Sequence, residues 1–267
     1  MQNLTNQFAC GDAIDMLRGL PSKSVDLVLT DPPYIISRNS GMQALKTSGK
    51  TDETYGDKYA IQTDYGEWDR QFTLDQLNTC VKEFARVLRV GGTCIIFFDL
   101  WKLETLANLL TEHKFKQLRF IEWIKTNPVP INSKATYLSN AREIAICAVK
   151  GGSSTFHSQY HNGIYEYPIY QGQRGIDRIH PTQKSLPLFQ ELVRTHSNPN
   201  DIIVDPFGGS GTTYIASLLE SRRCISVEKD ATQFKRTLER IGHYEHPSLN
   251  INDICQTINH RIKEQNG

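Results

Sequence analysis

The chain has 267 residues, 30 Lys and Arg against 29 Asp and Glu, a formal charge of +1, and 39% hydrophobic and 22% charged residues. These values are ordinary for a soluble globular protein of one large α/β domain, alone or with a small appendage. No apolar run approaches the length of a membrane span and the polar N-terminus reads as no signal peptide, which argues against a membrane partner. Six cysteines (Cys10, Cys80, Cys94, Cys147, Cys224, Cys255) are scattered without a Cys-x-x-Cys pair. They point to a reducing, cytoplasmic compartment, with neither a disulfide frame nor a metal site.

Asn6 to Cys10 reads as a short strand, followed by Gly11-Asp12 and a helical pattern of Ile14, Leu17 and Leu20. Asp12 stands at a strand end and is also placed to cap the helix. Val25 to Thr30 reads as a buried parallel strand running into Asp31-Pro32-Pro33-Tyr34. Two prolines forbid both helix and ladder pairing, so an acid and an aromatic are held at the carboxyl end of a strand. Ligands bind at that edge in open α/β sheets. The arrangement suits attack by an amino group conjugated to an aromatic ring. The Asp31 carboxylate and Pro32 carbonyl can hold its two N–H bonds and free its lone pair, while Tyr34 offers a stacking face. A plain turn would use the same dipeptides.

Residues 35–66 are polar and long for a loop, as expected of a lid, and end at Gly66-Glu67-Trp68-Asp69. Phe72 to Leu88 reads as an amphipathic helix broken by Gly91-Gly92. Thr93 to Phe98 reads as a buried strand with Asp99 at its end, Leu100 to His113 as a helix, Gln117 to Trp123 and Glu143 to Val149 as strands. Residues 151–180 have little periodicity but carry Phe156, Tyr160, Tyr165, Tyr167 and Tyr170, then Arg174 and Arg178. Aromatics among amides and arginines suit bases and phosphates; a surface excursion packed by its own aromatics is the plainer alternative. From His113 to Gln190 ten basic residues, Lys134 and Arg142 among them, face four acids, leaving +6 to draw a polyanion.

His180-Pro181-Thr182-Gln183-Lys184 opens the next helix. A strand at 201–204 then runs into Asp205-Pro206-Phe207-Gly208-Gly209-Ser210-Gly211-Thr212-Thr213 and a helix; Arg223 to Val227 is a strand ending at Glu228, and Ala231 to Ile241 a helix. Glycines let the backbone approach a ligand, the helix N-terminus attracts negative charge, and an acid about twenty residues on can accept ribose hydroxyls. The turn lacks the Gly-Lys-Ser/Thr core of a phosphate loop. An acid before the glycines favours a ligand that carries a cation, such as the sulfonium amino acid S-adenosylmethionine.

Asp31-Pro32-Pro33-Tyr34 resembles the catalytic motif of amino-methylating DNA methyltransferases, and Asp205–Thr213 resembles their cofactor motif. With His180–Lys184, Gly11-Asp12, Gly66–Asp69 and Trp123-x-Lys125-Thr126-Asn127-Pro128, the order is similar to that of β-class, MboII-type adenine-N6 enzymes. Asp99 departs from the small polar residue common there. The resemblance implies an α/β, Rossmann-like fold of class I methyltransferase type, circularly permuted. Its sheet would be mixed and seven-stranded, six strands parallel and the last antiparallel, flanked by helices. Residues 1–150 would form the catalytic half, 151–180 a target-recognition segment, 181–244 the cofactor half and 245–267 a tail.

The resemblance also implies site-specific methyl transfer from S-adenosylmethionine, leaving S-adenosylhomocysteine, to N6 of a flipped-out adenine in double-stranded DNA. Asp31, Pro32, Pro33 and Tyr34 would be catalytic. Asp12, Asp205, Phe207, Gly208, Gly209, Ser210, Gly211, Thr212 and Glu228 would bind cofactor, with Thr182, Gln183 and Lys184 on the same side. Lys134, Arg142, Arg174 and Arg178 would contact DNA. A cognate restriction endonuclease and a second copy of the chain are the implied protein partners, in a prokaryotic cell or phage-infected host. The rivals are a cytosine-N4 enzyme, disfavoured by Asp rather than Ser before Pro-Pro-Tyr, and a non-catalytic nucleic-acid-binding module of the same fold.

Overall fold

The computed structural model describes residues 6–34, 72–128, 141–169, 179–180 and 182–245. In chain order these form β1 (Gln7–Cys10), α1 (Ala13–Gly19), β2 (Val25–Thr30), α2 (Leu74–Val87), β3 (Leu88–Phe98), α3 (Leu103–Glu112), β4 (Lys116–Lys125), β5 (Arg142–Val149) and β6 (Ile164–Tyr167). There follow α4 (Leu186–His196), β7 (Ile202–Asp205), α5 (Thr212–Leu219), β8 (Arg223–Glu228) and α6 (Ala231–Glu245). No described helix is long and apolar enough to cross a membrane.

The strands make one sheet in the order β1-β8-β7-β2-β3-β5-β4-β6. All ladders are parallel except those of β5 with β3 and β4, so β5 alone opposes the rest. The described sheet therefore has eight strands where seven were expected, and the opposed strand is an inner one. The extra strand, β6, comes from the stretch at 151–180, which lacked visible periodicity. It is four residues long, and of these only Tyr165 is buried. A pattern that short cannot be separated from turn sequence.

Side chains alternate across the central strands, so each face carries its own core. Leu27, Leu29, Phe97 and Ile203 meet α4, α5 and α6 through Phe189, Leu192, Ile215 and Phe234. Val28, Ile96, Phe98 and Val204 meet α1, α2 and α3 through Leu17, Val81, Phe84 and Leu106. α2 starts with a reciprocal capping box between Thr73 and Gln76. It passes into β3 with no loop, so Gly91-Gly92 does not separate helix from strand but lies within the strand. Gly91 adopts φ 81° and its N–H donates to Gly151 O at 2.8 Å; a Cβ there would sit 2.3 Å from Ser153 O. These glycines let the strand kink against the neighbouring turn.

β7 and β2 are neighbours at the centre. From β7 the chain crosses through α5 to β8 on one side; from β2 it crosses through α2 to β3 on the other. Divergent crossovers on opposite faces open a crevice at the carboxyl ends of these two strands.

Candidate active site

Two acids flank the crevice. Asp205 is the last residue of β7 and Asp31 follows the last residue of β2. Thr30 Oγ1 donates to Asp205 Oδ1 at 2.7 Å, and the Phe207 N–H donates to the same oxygen at 3.1 Å. Asp205 is 3% exposed. Burial pushes its carboxyl up to about 6, against the pull of the Thr213 and Thr30 hydroxyls and with a push from Asp31. Pro32 is buried, and Tyr34 packs edge-on against Phe98 at 6.0 Å while its hydroxyl donates to Asp31 Oδ1 at 2.9 Å.

The glycine turn after β7 is held from beneath. Gly208 N–H donates to Val227 O at 2.7 Å, and a Cβ on Gly208 would lie 2.7 Å from both Phe8 Cε2 and Ser226 Oγ. Only a residue without a side chain lets the turn sit this close to β8. Gly209 and Gly211 take positive φ, 49° and 74°, and Gly211 caps α5 without a side-chain hydrogen bond. α5 therefore begins directly at the glycine turn that follows β7. α6 supports the turn: Thr237 Oγ1 donates to Gly209 O at 2.6 Å and Arg240 Nη1 to Ser210 O at 2.5 Å and Thr212 Oγ1 at 3.1 Å. Ser210 and Thr212 hydroxyls lie 3.0 Å apart. Thr237 and Arg240 carried no motif signal, since they sit at ordinary helix positions.

At the end of β8, Glu228 Oε2 accepts from Gly209 N–H at 2.8 Å and Oε1 from Asp230 N–H at 2.7 Å. Burial pushes this carboxyl up. Asp12, after β1, caps α1 through the Ile14 N–H at 2.9 Å and pairs with Lys229 Nζ at 3.2 Å. Phe207 is half-buried and edge-on to Phe72, 5.2 Å between centroids.

Of the residues before α4, Gln183 accepts from Ile179 N–H, and Thr182 lies against His180 Nδ1 at 2.9 Å. Burial, with Lys184 nearby, pushes His180 down to about 4, so its ring is neutral at pH 7. Lys184 turns to the other acid. Its Nζ lies 2.7 Å from Asp31 Oδ2 and 2.6 Å from Glu143 Oε2, over the Tyr34 and Phe97 rings at 5.6 and 5.7 Å. Glu143 Oε1 in turn meets Lys125 Nζ at 2.8 Å, and Lys125 lies over the Trp123 ring. In the sequence Glu143 is only a strand start and Lys125 only part of a motif. Because β5 runs against the sheet, its first residues reach the edge where the other strands end. Burial opposes the Lys184 charge, but Asp31 and Glu143 outweigh it and hold the amine well above the usual lysine range. Burial likewise opposes the Glu143 charge, and Lys184 and Lys125 outweigh it, so Glu143 is lowered. At Asp31 burial wins over Lys184, and the carboxyl is raised.

The lid at 35–66, Gly66–Asp69, Lys134, Arg174, Arg178 and most of the tail lie outside the described residues. Arg142 is exposed at the start of β5, with Nη1 3.2 Å from Glu122 Oε1. Of the aromatics in 151–169, Tyr165 is buried and stacked on His161 at 4.5 Å, and Tyr167 bonds Glu191. Tyr160 is fully exposed and Phe156 is half exposed against His196.

A family model described as DNA methylase, of the N6/N4 methyltransferases, matches residues 25–239. The type II methyltransferase M2.MboI of Moraxella bovis is 29% identical over 94% of this chain and 92% of its own length. M.HinfI of Haemophilus influenzae is 27% identical over 86% of this chain and 66% of its own length. Among solved structures, M1.HpyAVI in complex with SAM has a TM-score of 0.64 and 26% identity, over 88% of this chain and 98% of that one. The cytosine-N4-specific PvuII DNA methyltransferase has the same fold, with a TM-score of 0.66 at 18% identity over 94% of this chain and 91% of that one.

Proposed function

The chain belongs to the N6/N4 DNA methylase family, and from that premise we propose that it methylates the N6 amino group of adenine in double-stranded DNA with S-adenosylmethionine. The observation that carries this reading is the adjacency of two strand-end acids, Asp31 and Asp205, on hydrogen-bonded strands, with Thr30, the residue before Asp31, donating to Asp205. One acid faces the amino group to be methylated and the other faces the cationic donor.

The residues present suit that donor. Asp205 is a buried acceptor beside the glycine turn, the positive end of the α5 dipole suits a carboxylate, and Glu228 keeps lone pairs for ribose hydroxyls at the next strand end. Phe207 flanks this corner, and Asp12 stands at the β1 end beyond Glu228, on the side of the adenine edge. When bound, S-adenosylmethionine supplies an electrophilic methyl group and leaves as S-adenosylhomocysteine. The chain's own residues do the rest. Asp31 Oδ1 and the Pro32 carbonyl accept the two N–H bonds of the amino group and turn its lone pair outward. Tyr34 gives up its bond to Asp31 as the base enters and lies along the ring. Asp31 takes the proton that the nitrogen sheds. The gain comes mainly from holding donor and nitrogen in line in a dry pocket. Adenine reaches such a pocket only out of the duplex.

Outside the Lys125–Glu143–Lys184 cluster, the excess of basic residues between His113 and Gln190 supports a DNA-facing surface there. The segment 151–180 and Arg142 are its recognition elements in this reading, and the type II relatives support pairing with a restriction endonuclease. Tritiated S-adenosylmethionine, duplex DNA and nucleoside mass analysis test the proposal. N6-methyladenine is expected. N4-methylcytosine would move the assignment to cytosine, and no transfer despite cofactor binding would favour a binding module.

A further inference from the structure

Asp31 has two oxygens with different neighbours. Oδ1 meets only the Tyr34 hydroxyl among the described residues, a contact on the motif itself, whereas Oδ2 is held by Lys184 from the segment before α4. Lys184 is 6% exposed and spends two of its three N–H bonds on Asp31 and Glu143. Two aromatic faces enclose the rest of the ammonium. Glu143 cannot follow Lys184, because Lys125 of β4 holds its other oxygen. The four charges sum to zero, as a buried ionic group must to avoid a large desolvation cost.

We propose that Lys184, anchored by Glu143 and Lys125, is a positioning residue for the proposed methyl transfer, fixing Asp31 through Oδ2 so that Oδ1 alone meets the incoming amino group. This gives Lys184 a place on the base side of the crevice and not on the cofactor side. It also gives Glu143 and Lys125 a part in the reaction without contact with either substrate.

The groups that face Asp31 set the pH at which it works. Lys184 favours its charged form, Glu143 disfavours it, Asp205 on β7 lies beside it, and Tyr34 donates to it. Lys184→Met removes the favourable charge, so ionisation of Asp31 requires higher pH. Glu143→Gln keeps the shape and removes the unfavourable charge, so ionisation extends to lower pH. The acid limb of the single-turnover methylation rate therefore moves in opposite directions in the two variants. A rigid part with no charge role would not produce that pair.

The test uses the full chain, duplex DNA and S-adenosylmethionine, with rates across the acid range and cofactor affinity by calorimetry. Lys184→Met should raise the acid limb by about 1–3 pH units, lower the plateau rate and leave cofactor affinity unchanged. Lys184→Arg should return the limb toward the wild type. Glu143→Gln should lower the limb, and carries the test alone if Lys184→Met does not fold. Weakened cofactor affinity with an unmoved limb would return Lys184 to the cofactor side and overturn the proposal. Unmoved limbs in a wild type and variants that all methylate DNA would overturn it while leaving the proposed function standing. A wild type that transfers no methyl group would overturn both.

Discussion

Asp205→Asn should make the protein more stable and unable to hold its cofactor. The Asp205 side chain accepts from Thr30 Oγ1 and Phe207 N–H through one oxygen, and Asn keeps that oxygen. Its new amide faces the Thr213 hydroxyl, which can accept while it donates to Leu29 O. The change is therefore nearly isosteric and removes only a buried charge. In the folded chain the carboxyl titrates at about 6, against an ordinary value of 3.8. Below 3.8 both states carry the proton and the group contributes nothing. Between 3.8 and about 6 the unfolded chain ionises first, so stability falls as pH rises; above about 6 the full cost is present. At about 1.4 kcal/mol per unit the gap is on the order of 3 kcal/mol. For a chain of this size that corresponds to roughly 6–12 °C in unfolding temperature. Thermal unfolding of both proteins from pH 4.5 to 8, without ligand, reads it directly. The variant's advantage should grow as pH rises from 4.5 toward about 6 and hold its full size at pH 8. Calorimetry should show cofactor binding lost in the variant and weakening in the wild type as pH falls through the same range. Equal unfolding temperatures at pH 8, or undiminished binding by the variant, would refute the reasoning.

Three further outcomes are expected. Gly208→Ala should cost about 1–3 kcal/mol in denaturant unfolding, because the new methyl group meets Phe8, Ser226 and the Val227 carbonyl and the last cannot rotate away. An unchanged midpoint would mean that the turn is free to move off β8. Glu228→Ala should weaken S-adenosylmethionine binding in the absence of DNA, by about 1–3 kcal/mol for an acceptor removed from buried hydroxyls; an unaltered dissociation constant would leave Glu228 as only the clasp of Gly209 and Asp230. At least one of Arg174→Ala and Arg178→Ala should relax one position of the methylated sequence in a randomised duplex library, at about 1–3 kcal/mol for a base-edge contact. Retention of the parental profile with uniformly weaker binding would place both arginines on phosphates.

The parts legible in the sequence were those whose physics is local. Prolines after Thr30, glycines after Asp205 and apolar strands before both placed the two acids at strand ends, and the described sheet puts them side by side. What escaped the sequence depended on strand direction and on distant partners. Glu143 looked like the first residue of an apolar strand, and nothing within that strand says that it runs against its neighbours. A charged residue entering a strand otherwise fit for burial was the available signal, as was Lys125 at the end of β4. β6 escaped because a four-residue edge strand has one buried side chain. Its place is fixed by contacts made elsewhere: the Trp123 indole donates to Tyr167 O and Asn127 Oδ1 accepts from Ile169 N–H. Two residues of the Trp123–Pro128 motif thus hold the way out of β6, and a third, Lys125, holds Glu143.

Chain order and sheet order differ in a way that bears on when the site exists. β1 and β2 are joined by one short helix, yet β8 and β7 lie between them. Until the C-terminal strands insert, β1 has no ladder partner and Asp31 has no Asp205 beside it. The Thr30–Asp205 bond closes a separation of 175 residues, and such pairings form late because their loop-closure cost precedes their reward. The proposed cofactor, held by Asp205 and Glu228 with its reactive end toward Asp31, would span that same seam. Held as proposed, it would bind only the chain in which the insertion is complete, so cofactor binding would stabilise the permuted sheet where its sequence connectivity is weakest.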